Sequence, residues 1–128
     1  IKKKIHNNED CFSEYLDIDN IQSPIPKSRI DNVLNLAKKE FNDYKIILLT
    51  APGSDTSEYS YDVIKNEDEN LDLYLLTMCK VVVLSRSNFA VSSLFFSDKK
   101  KVYCPLWGYF TCYGLDTKYD KNNFFYFY

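Results

Sequence analysis

The residues best suited to hold a ligand stand in one short turn. Ser85, Ser87 and Asn88 follow an apolar run and open a second one, with Arg86 between them and Phe89 closing the turn. Hydroxyl and amide side chains at a helix start, together with the unsatisfied N–H groups of its first turn, can hold phosphate without a glycine-rich loop. Ser and Asn also cap helices routinely, and spacing alone puts the cap-only role of Ser87 slightly ahead. His6 with Glu9 or Asp10 has the chemistry of an acid–base pair, although a single histidine in a polar loop needs no such role and no GxSxG nucleophile supports one. Asp72 differs from the other carboxylates because it lies within an apolar helical pattern; its plain role is an exposed helix position. Asp17, Asp19, Asp62 and the acids at 67–69 are too scattered to pair by sequence.

Several chemistries are disfavoured. Neither GxGxxG nor GxxxxGK[ST] occurs, and only Gly53, Gly108 and Gly114 exist, so a dinucleotide fold of the usual kind is not expected. Cys11, Cys79, Cys104 and Cys112 form no CxxC pair and His6 is the single histidine, which argues against a zinc site. Cys79 and Cys104 read as buried small hydrophobes. The net charge of -2 leaves no electrostatic footprint for nucleic acid. The lysine triplets at 2–4 and 99–101 read as solvated strand ends. No apolar run approaches the ~20 residues of a membrane span.

The turn needs elements to position it. Pro26, tolerated in a first helical turn, precedes Ile30, Val33, Leu34, Ala37 and Phe41 at helical spacing, predicting a helix over 26–41. Residues 44–50, YKIILLT, read as a buried strand. Residues 58–63 alternate weakly, as a short strand or an extended connection. The acids at 67–69 favour a helix amino end before Leu71, Leu75, Leu76 and Met78. Residues 80–84 form a β-branched strand, 87–96 a helix, and 102–105 a last strand stopped by Pro105. Residues 1–10 read as at most a short edge strand and a polar loop, and 11–25 as a loop. Alternation of this kind predicts an α/β, Rossmann-like three-layer domain with a mostly parallel sheet.

With 128 residues, 45% of them hydrophobic, one core and one domain are expected. Residues 26–104 make its core and 105–128 an aromatic-rich tail. A chain that opens on Ile1 and ends on five successive aromatics looks cut from a longer one, and such a tail would be sticky unless a partner covered it.

Residues 72–80 (DLYLLTMCK), 81–84 (VVVL) and 85–90 (SRSNFA) together resemble a motif of the α-1,2/α-1,6-fucosyltransferase superfamily: an aspartate, an apolar helix ending in a hydroxyl residue and a cysteine, an apolar strand, and a Ser/Asn turn closed by phenylalanine. The resemblance spans about a seventh of the chain. It implies the nucleotide-sugar-binding half of a GT-B glycosyltransferase that binds a donor such as GDP-fucose without metal and transfers the sugar to a glycan or protein acceptor. Ser85, Ser87 and Asn88 would then lie beside the donor, Phe89 would pack the turn, and Asp72 would contact the donor end. The family's HxRRGD signature should precede the helix at 26, but residues 5–10 read IHNNED and hold no arginine. A diphosphate without its cation is costly, which favours binding over turnover and leaves His6 and Asp10 as the remaining catalytic candidates. The alternative is a catalytically inactive structural or interaction protein that keeps the fold and docks through its aromatic tail. A missing amino-terminal domain or a partner on that tail would complete either one.

Overall fold

A computed structural model of the chain describes residues 24–105 and 123–127. The expectations for 1–23, including His6 and Asp10, and those for 106–122 lie outside the described residues.

The first helix, α1 (Lys27–Glu40), follows Pro26, whose φ of -56° suits a helix start although no side chain caps it. Lys27 donates to Asp31 one turn on, at 2.6 Å, and Val33, Leu34 and Ala37 form its buried stripe. Two four-residue strands follow, β1 (Ile47–Thr50) and β2 (Asp62–Lys65), paired parallel with Ile47 opposite Asp62. Helix α2 (Glu69–Met78) begins at Asp68, whose carboxylate accepts from the Asn70 N–H at 2.9 Å. Strand β3 (Val81–Val83) leads to α3 (Asn88–Ser92), which tightens into a 3-10 turn (Ser93–Phe95). Strands β4 (Lys101–Pro105) and β5 (Phe124–Phe127) complete the described elements.

The expected single sheet is divided among the described residues: β1 and β2 form one parallel pair, and β3, β4 and β5 form a separate parallel sheet in that order. The core is built on the second sheet. Along β4, Val102 and Cys104 join Val82, Leu84, Ala90, Val91, Leu94 and Phe124 in one buried cluster, with Leu76 and Cys79 packed against it. Tyr103, between them in sequence, joins Val33, Ala37 and Phe127 in another. Successive strand residues point to opposite faces. Hence α1 covers one face of the sheet, and α2 and α3 meet the other. A parallel strand with both faces covered needs the near-continuous apolar run that Val81 to Leu84 provides.

Two features depart from the sequence reading. Phe124 and Phe127, in the aromatic tail, are buried, and they belong to a strand whose register sets Val102 opposite Phe124 and Pro105 opposite Phe127. Lys99, expected to be solvated with its neighbours, is only 6% exposed. Its ammonium donates to the Leu76 carbonyl and, at 2.7 Å, to the Cys79 carbonyl. A cation there meets carbonyls at the end of α2, where Leu76 also accepts from the Cys79 thiol at 3.1 Å, and complements the negative end of the helix dipole.

Candidate functional site

Strand β3 ends at Val83, and the Leu84 N–H donates across to the Tyr103 carbonyl at 2.9 Å. The backbone then turns: the Ser87 N–H donates to the Ser85 carbonyl at 2.9 Å, and the Ser87 carbonyl accepts from Val91 at 3.1 Å. The Ser87 hydroxyl accepts from the Ala90 N–H at 3.4 Å, a helix cap in extended backbone (φ -148°, ψ 130°). Ser85 is exposed, Arg86 half-buried and Phe89 37% exposed, while Ala90 and Val91 anchor the helix in the core. The turn therefore sits at the carboxyl end of a parallel strand, open to solvent, where ligands bind in open α/β sheets. The side chain of Asn88 is not among those described.

Asp72 belongs to a different place. Its carboxylate accepts from the Asn66 amide at 2.7 Å in the first turns of α2, just beyond the end of β2. There Lys65 also donates to the Ser54 carbonyl at 2.7 Å, and the Asp55 carboxylate accepts from the Ser57 N–H at 2.9 Å. That hydrogen bond holds the Asp55 carboxyl below its ordinary range. The proposed donor residues thus divide between two helix starts. Helices α2 and α3 are linked through the apolar cluster of Leu76, Cys79, Val91 and Leu94.

A shallow cleft of about 280 Å³ lies away from the turn, lined in part by Lys38, Tyr44, Lys45, Tyr61 and Asp62. Lys45 forms an ion pair with Asp62, and Lys100 donates to the Tyr44 hydroxyl at 2.9 Å. Nearby, the Tyr103 hydroxyl donates to Glu40 at 2.8 Å and Lys101 stands 3.4 Å from the other Glu40 oxygen. Burial, assisted by the Glu40 carboxylate, pushes the Tyr103 hydroxyl well above its ordinary pKa. The two Glu40 contacts tie α1 to β4.

Among the described residues no group of three or more His, Cys, Asp or Glu side chains comes together to hold a metal ion. Cys79 and Cys104 are free thiols, and no helix among the described residues is long and apolar enough to cross a membrane. Sequence reasoning missed Lys99 and Asn66. Both act through partners that only the folded chain brings near, and neither stands in a recognisable motif. Comparisons with protein-family models, with curated proteins and with solved structures found no match.

Proposed function

We propose that this chain is the nucleotide-sugar-binding half of a fucosyltransferase-like glycosyltransferase, a Rossmann-like three-layer domain with its donor site at the turn after β3. The observation that carries this reading is the placement of residues 85–89, a solvent-open Ser/Asn turn at the carboxyl end of a parallel strand and the start of α3. Such ends attract diphosphates because their N–H groups point outward and carry partial positive charge. Because the Ser87 hydroxyl already caps Ala90, the donor would rest chiefly on the Asn88 and Phe89 N–H groups and the exposed Ser85 hydroxyl. The reading is one of binding. A GDP-fucose donor, a glycan acceptor and the transfer between them follow from the resemblance of residues 72–90 to that superfamily, with His6 and Asp10 as its catalytic candidates.

Calorimetric titration with GDP-fucose and other nucleotide sugars tests it. Heat that saturates by about 1 mM donor, and is weakened on combining Ser85→Ala, which removes the exposed hydroxyl, with Asn88→Pro, which removes one N–H at a first helical position that tolerates proline, in a protein that still folds, is the expected result. No heat at that concentration, or an unchanged titration in the double variant, sinks the reading.

A second reading, a catalytically inactive interaction protein, has its own observation. The Ser87 hydroxyl caps its own helix and the Asp72 carboxylate is held by Asn66, so neither requires a donor to be satisfied. In that reading Phe124 and Phe127 are not part of the docking surface, since they are buried, whereas Phe125 in the same strand is exposed.

A further inference from the structure

Helix α2 is apolar on most sides, yet none of its ten residues is buried. Leu73, Leu75 and Leu76 are half-covered by the fold, whereas Leu71, Tyr74 and Met78 stand 43%, 58% and 61% exposed. The three exposed positions are spaced i, i+3 and i+7, which sets them in one stripe along the helix. The 3-10 turn packed against α2 ends at Phe95 and is followed by Phe96, both exposed, and they enlarge the apolar area. Apolar helix faces of this kind mark interaction surfaces. The ends of the stripe differ in charge. Glu67 and Asp68 are exposed before its first turn, and Lys80 is exposed immediately after the Cys79 cap.

We infer that this surface binds a second copy of the same chain, with the two α2 helices antiparallel about a two-fold axis. An isologous contact requires a patch complementary to itself, and a stripe that runs from acidic through apolar to basic meets that condition only when reversed. The register that sets Leu71 opposite the partner's Met78 brings both copies of Tyr74 beside the axis. It also places Glu67 and Asp68 of one chain near the partner's Lys80. Tyrosine at the centre of an interface is a frequent energetic anchor. The association is independent of donor binding at residues 85–89.

Sedimentation equilibrium on the 128-residue chain tests the pairing. The expected result is a reversible dimer of twice the 15.1 kDa chain mass, with Tyr74→Glu weakening it about 30-fold, as for an interfacial hot spot, while circular dichroism stays unchanged. Lys80→Glu weakens the dimer at low salt, and adding Glu67→Lys to it restores association. A monomer at all accessible concentrations overturns the inference, including one whose Tyr74 resists modification because other parts of the chain cover it. So does a dimer indifferent to Tyr74→Glu, or one weakened by Lys80→Glu and not rescued by the reversed pair.

Discussion

Two side chains with no role in the proposed site have measurable consequences of their own. Tyr103 is 2% exposed and bonds to Glu40. Because the Glu40 side chain remains 47% exposed, Tyr103→Phe leaves an acceptor that water can reach, and the cost should be about 1 kcal/mol in urea unfolding. Its pH dependence is more specific. Below the ordinary value of 10.0 the hydroxyl is neutral in both the folded and unfolded states; above it the unfolded chain ionises first, because burial raises the folded value. Stability should therefore fall as pH climbs past 10, and Tyr103→Phe should fall less steeply over the same window. Lys99→Met, which keeps much of the apolar stem, removes the ammonium from the Cys79 carbonyl and leaves the Leu76 carbonyl with the weak Cys79 thiol donor, and about 2 kcal/mol should be lost in the same measurement. The cap at Ser87 was legible in the sequence because capping is local. Lys99 was not: its acceptor on Cys79 lies 20 residues away, and three consecutive lysines beside a turn read as solvated.

The elements themselves were largely legible. The helix expected over 26–41 is Lys27–Glu40, and the β-branched run at 80–84 contains Val81–Val83, because periodic apolar spacing and short apolar runs are imposed by what each element must bury. The helix expected over 87–96 proved to be five α-helical residues and a 3-10 turn. There the hydroxyls of Ser92 and Ser93 donate back to the Phe89 and Ala90 carbonyls, a local competition that weakens regular helix. The largest departure lies in β5, where an aromatic run forms a strand with Phe124 and Phe127 buried. An unbroken aromatic run has no polar alternation to reveal a face, so Phe124 to Phe127 read as a tail. Phe127→Ala should cost about 3–5 kcal/mol, the range for emptying a buried aromatic site, and a thermal-shift measurement would show it. A loss below about 1 kcal/mol would mean that the strand is not integral to the core.

At the scale of the molecule, the order of elements up to β4 was readable, but the division of the described strands into two sheets was not. Strand pairing depends on contacts between distant residues, which no local pattern encodes. The division carries its own expectation. No residue of β1 or β2 is buried, whereas four of the five in β4 are. Amide hydrogens of Leu48 to Thr50 and Val63 to Lys65 should exchange far faster than those of Val102 to Cys104 in native-state exchange followed by NMR, because segments with few buried contacts open locally. The α/β class was accessible from alternation alone, while the half-covered α2 was not, since its apolar periodicity gives no sign of how much of it the rest of the chain reaches. The position of β5 also bears on how the protein is made. A ribosome delivers β3 and β4 first, and at ~5–20 residues per second the 18 residues separating Pro105 from Phe124 take roughly 1–4 s to synthesise. For that interval the side of β4 that pairs with β5 lacks that partner, and an open strand edge invites pairing with other chains. Nascent copies on crowded polysomes are therefore where this sequence should be most in need of a chaperone.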